Sequence, residues 1–159
     1  KKILVSRYPS RWSREFSQEL TDAVKKGATL LVNALNPYEA AALNAAEILP
    51  GKVKLHISTG AKTSAWHYWK KGPLFAGLEG WRIGNIAMGD LLPLFSFDLI
   101  KEGKVEAGCA TIDEYGEFNS WGDIATFKVG KGKVILHQYR LLERLSSSAA
   151  AAMLLNNIG

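Results

Sequence analysis

Few side chains in this chain could do chemistry. Its 159 residues hold one cysteine, Cys109, and three histidines, His56, His67 and His137. Acyl transfer through a thiolate needs the cysteine on a sharp turn, where backbone N–H groups and a helix N-terminus favour negative charge. Cys109 instead lies in Ala107-Gly108-Cys109-Ala110, inside a strand pattern, and reads as a small core residue. A lone cysteine excludes an internal disulfide and a cysteine-based zinc site. His56 and His67 have no close carboxylate or thiol at a ligand spacing, so the expected metal complement is none. Asp113, Glu114, Glu117 and Asp123 invite the two-carboxylate mechanism of glycoside cleavage. They fall in a turn and at strand ends, however, where acids face water, and nothing fixes their separation.

Tryptophan is the other abundant resource, at positions 12, 66, 69, 81 and 121. Flat indole faces suit sugar rings, but they equally bury large area against a sheet or a neighbouring domain. Trp66 and Trp69, three apart, would share one face of a short helix capped by Thr63-Ser64. Trp121 would stand at the carboxyl edge of a sheet, where open α/β folds bind ligands. With Asn36, these three are the residues expected to touch a ligand.

The elements that would position these groups follow from local patterns. Ile3-Leu4-Val5 reads as a strand, and Ser10 can cap a helix from Arg11 to Lys26 that stops at Gly27. Ala28 to Val32 is the unbroken apolar run of a strand buried on both faces. Asn36-Pro37 starts a second helix, over Tyr38 to Leu49. Strand, helix, strand, helix with short connections predicts a parallel sheet covered by helices. Further strands are expected at Val53–Ile57, Arg82–Ala87, Val105–Ile112, Asp123–Val129 and Lys133–Leu136, with Leu91–Phe97 apolar but broken by Pro93. The Gly130-Lys131-Gly132 turn makes the last two a hairpin. A loop with Leu141, Leu142 and Leu145 and a Ser-capped, Ala-rich helix close the chain.

Composition sets the bounds. At 47% apolar and 22% charged, the chain is one ordinary globular domain, residues 1–159, and not a disordered one. The net charge of +5 is scattered over short Lys clusters, without the aromatic-basic pattern of a nucleic-acid binder. No apolar run approaches the roughly 20 residues that span a bilayer. The opening Lys1-Lys2, with no Met, reads as a piece of a longer protein.

Three segments in order carry a family resemblance. They are Lys26-Gly27-Ala28-Thr29-Leu30-Leu31-Val32, Gly72-Pro73-Leu74-Phe75-Ala76-Gly77-Leu78, and Val129-Gly130-Lys131-Gly132-Lys133-Val134-Ile135-Leu136. Together they resemble the class I glutamine amidotransferase-like fold, in the version found as an accessory domain in family 2 glycoside hydrolases of the β-galactosidase type. The resemblance implies an α/β, three-layer flavodoxin-like sandwich, its sheet mostly parallel, with a C-terminal β-hairpin and closing helix. It places the nucleophile of active members near Ala34, and no Cys or Ser lies between Val32 and Tyr38. It places the catalytic histidine at His137, followed here by Gln138-Tyr139 and not by Pro-Glu. The implied reading is a degenerate site with a vestigial His137 and no cofactor. The domain's partners would be other domains of its own chain and, through exposed Trp, carbohydrate. Its parent would be a secreted or periplasmic bacterial enzyme. The alternatives are a small hydrolase working through His137, or a sugar-binding module.

Overall fold

The computed structural model describes residues 3–6, 8–58, 64–78, 89–112 and 115–158. The expected strand Arg82–Ala87, Trp81, Asp113 and Glu114 lie outside them. The first half begins as anticipated. Strand β1 (Ile3–Ser6) and strand β2 (Thr29–Asn33) pair in parallel, joined through helix α1 (Arg14–Lys25). The α1 cap is Ser13 and not Ser10, its side chain accepting from Phe16 N at 3.1 Å, because Pro9–Arg11 forms a separate tight turn. Helix α2 (Pro37–Ala45) starts at Asn36 in a reciprocal capping box with Glu39. Pro37 occupies the first turn, where its missing N–H costs nothing.

The sheet then departs from the parallel expectation. Strands β3 (Leu55–Ile57), β4 (Ser64–Trp69), β5 (Phe95–Phe97), β6 (Lys104–Ile112), β7 (Phe118–Val129) and β8 (Gly132–His137) follow. Only β1-β2-β8 is parallel; β8-β7, β7-β6, β6-β4, β7-β5 and β5-β3 are antiparallel. The result is a strongly curled mixed sheet, a half-barrel with four helices among the described residues, and not a three-layer flavodoxin-like sandwich. The cause lies in β7. Its twelve residues hold β6 along one edge, while its other edge is shared between β8, over Ile124–Val129, and β5, at Gly122. One strand thus feeds two diverging arms. Register shifts beside Ala107 add bend and twist.

The segment expected as a helix around Trp66 is the strand β4. Its burial alternates with period two, His67 and Trp69 inward, Trp66 and Tyr68 outward. Trp66 and Trp69 therefore lie on opposite faces and not on one.

Two cores sandwich the parallel part. Leu30, Val32, Phe127, Val134 and Leu136 pack with Leu20 and Val24 of α1 and Leu43 of α2. On the other face, Leu31, Trp69, Ile124 and Ile135 meet short helix α3 (Leu141–Arg144) and closing helix α4 (Ala149–Ile158). Trp69 stacks on Phe75 with ring centroids 5.4 Å apart.

Candidate functional site

The first candidate site lies at the carboxyl ends of β2 and β8. There Ala34 turns the chain sharply from β2 into α2 with φ 52°, a left-handed conformation that a residue with a Cβ rarely adopts. The turn has the geometry that would present a nucleophile, with alanine at its apex. Its N–H groups are all used internally. Ala34 N donates to the His137 carbonyl at 2.9 Å, Leu35 N to Gln138 Oε1 at 2.9 Å, and Asn36 N to Glu39 Oε2 at 2.9 Å. These three N–H groups are therefore not free to receive an oxyanion. Gln138 also donates to the Phe95 carbonyl at 3.0 Å. Asn33 ties the same corner down, giving its amide to the carbonyls of His137 and Tyr139, each at 2.7 Å, and accepting from Leu142 N. The cleft above, lined by Tyr8, Ala34, Asn36, Gln138, Arg140 and Glu143 among others, holds about 160 Å³. That is below the roughly 300 Å³ at which small-molecule pockets begin.

His137 takes no part in the cleft. It is fully buried at the end of β8, and neither ring nitrogen has a hydrogen-bond partner among the described residues. Burial lowers its pKa to about 3, against backbone contacts that favour the charged ring. Its ring meets that of Tyr139 edge-on, with centroids 5.7 Å apart.

The second site is a buried polar cluster on the α4 side of the sheet. His67 on β4 stands directly opposite Cys109 on β6, and Cys109 opposite Trp121 on β7. Between Gly122 and Ile124 the register slips, so Asp123 is an extra, bulged residue of β7. All three polar side chains are sealed from solvent. Asp123 Oδ2 contacts His67 Nδ1 at 2.7 Å, and Ser96 donates a hydrogen bond to Asp123 Oδ1. Ser96 Oγ lies 3.2 Å from Cys109 Sγ. Burial first, then the charge of Asp123, pushes the Cys109 thiol up to about 12, with the Ser96 contact pulling the other way.

The remaining expected residues are dispersed. Asn36 caps α2, and Trp69 is core. Trp121 is half-buried, stacked on His56 at 3.7 Å and donating to Thr111 Oγ1 at 3.0 Å. His56 in turn contacts Asp98 at 2.6 Å. Trp66 is 60% exposed. Sequence reasoning missed Asn33, Gln138 and Ser96, none of which stands in a motif, and it read Asp123 as a solvated strand end.

No family model matches this sequence, and no curated protein resembles it in sequence. Solved structures share the fold. Against a β-galactosidase from Bacillus circulans sp. alkalophilus, the likeness covers 99% of this chain and 22% of that one, with TM-score 0.59 and 12% identity. A β-galactosidase from a Rahnella species gives 99% and 22%, TM-score 0.60 and 10% identity. A cytoplasmic protein from Salmonella typhimurium gives 99% and 70%, TM-score 0.58 and 15% identity. This chain thus spans about a fifth of the β-galactosidase chains it resembles, and at these identities the likeness is one of fold.

Proposed function

We propose that this chain is a non-catalytic accessory domain of a multidomain carbohydrate-active enzyme of the β-galactosidase type. The observation that carries the reading is the fold match: nearly the whole chain overlays a fifth of each β-galactosidase chain. The strand-end turn supports it, because the apex is Ala34 and its N–H donors are spent on Gln138, Glu39 and the His137 carbonyl. Its role is to pack against other domains of its chain. The surface suited to that is the outer face of β4-β6-β7, where Trp66, Tyr68, Ile112 and Phe118 are all exposed. Cross-strand pairing puts Ile112 directly opposite Phe118, and Trp66 opposite Ala110, so these side chains form a continuous apolar patch.

The 159-residue chain, assayed on nitrophenyl glycosides and on glutamine, is expected to turn over neither. Turnover that disappears in a folded His137→Ala variant would overturn the reading. A second reading, sugar binding, rests on the 60% exposure of Trp66 beside Tyr68. It requires tryptophan fluorescence to change on adding galactosides in the wild type and not in Trp66→Ala.

A further inference from the structure

Three fully buried, chemically dissimilar donors meet where three adjacent strands cross the sheet: His67 on β4, Cys109 on β6 and Asp123 on β7. One ligand-type atom from each lies within 4.8 Å of the other two. We propose that these three side chains bind a divalent transition-metal ion of the zinc class, which cross-links the antiparallel arm of the sheet.

The argument starts from the donor set. Imidazole nitrogen, thiolate sulfur and carboxylate oxygen are the ligands that zinc accepts together, at about 2.0–2.3 Å. Around a tetrahedral ion, bonds of that length set donors about 3.5 Å apart, so the required closure is on the order of 1 Å. Charge agrees: a thiolate and a carboxylate carry two negative charges, which a divalent ion neutralises in a site closed to water. The sequence reaches this arrangement by a specific device. Without the bulge, Asp123 would alternate away from Ile124; the register slip lets both side chains face the same interior.

A second observation points to a ligand. The Tyr139 hydroxyl is fully buried with no hydrogen-bond partner among the described residues, and its ring meets that of His67 edge-on, with centroids 6.5 Å apart. A purely structural polar cluster leaves that hydroxyl desolvated and unsatisfied. A metal-bound water in the fourth position could donate to its oxygen. Ser96, already donating to Asp123, would orient the carboxylate as an outer partner. Binding replaces the thiol proton of Cys109 with the ion and releases that proton to solvent. No exposed path is needed, since structural ions enter as the chain folds. The proposal is independent of whether the domain is accessory.

Cobalt tests it, because Cys109 is the only cysteine in the chain. The chain is unfolded in chelator, refolded with one equivalent of Co2+, and its absorption recorded. A thiolate-to-cobalt charge-transfer band with the visible bands of a four-coordinate ion is expected, lost on adding Zn2+ in equal amount. Cys109→Ser should abolish the charge-transfer band and weaken binding by about 100-fold or more, since even outer-shell changes cost about 10–100-fold. A folded wild type that shows no such band overturns the proposal. So does cobalt binding that is undiminished in Cys109→Ser. Should that variant fail to fold, the wild-type titration still decides.

Discussion

His137 shows how burial turns a candidate catalytic group into a pH-dependent contribution to stability. Its folded pKa, about 3, lies below the usual 6.5, so between those values the unfolded chain binds a proton that the folded chain refuses. The stability it supports is complete above pH 6.5 and is lost as pH falls toward 3. The loss is up to about 1.4 kcal/mol per pH unit. Urea unfolding at pH 7 and pH 4.5 should therefore show a smaller stability difference in His137→Asn than in wild type. Equal differences would show that His137 is not buried and neutral. Cys109 gives a second prediction: with its thiol raised to about 12 and sealed, the native metal-free chain should resist aromatic disulfide reagents and react fully only in denaturant. The residue types at these positions were legible in the sequence. Their company was not: His67, Cys109 and Asp123 come from three strands and meet only through register and a bulge, neither of which leaves a local motif.

At the scale of elements, the β2–α2 corner stores strain that its hydrogen bonds hold in place. Ala34→Gly removes the left-handed penalty and should stabilise the chain by about 0.5–1 kcal/mol in urea titrations. Asn36→Ala breaks the capping box and should cost about 1 kcal/mol. Where β8 begins, a Cβ on Gly132 would fall 2.1 Å from the Val24 carbonyl oxygen and 2.2 Å from that of Ala28. Gly132→Ala must therefore push β8 from α1, and should destabilise more than Asn36→Ala. The corner and the hairpin were readable because capping residues and Gly-Lys-Gly turns act locally. Strand β4 was not. Its outward positions, Trp66 and Tyr68, are as aromatic as its inward Trp69, so no polar-apolar alternation marks the period, and Thr63-Ser64 resembles a helix cap.

Across the whole molecule, the first two strands and helices set up the expectation of a parallel sheet, and that pattern holds only for β1-β2-β8. The long antiparallel β7 redirects the rest, an outcome decided by pairings between segments far apart in sequence. The curled arm leaves one apolar face buried and one exposed. Trp69→Ala, on the buried face, should cost about 3–5 kcal/mol, whereas Trp66→Ala should change the stability of this chain by no more than about 0.5 kcal/mol. Under the accessory-domain proposal, the neighbouring domain would sit on that exposed face. Reading the coding region outward from Lys1 and Gly159 tests that account most directly. The account predicts an open reading frame continuing into a glycosidase catalytic domain. A start codon and a stop codon immediately flanking these 159 residues would contradict it.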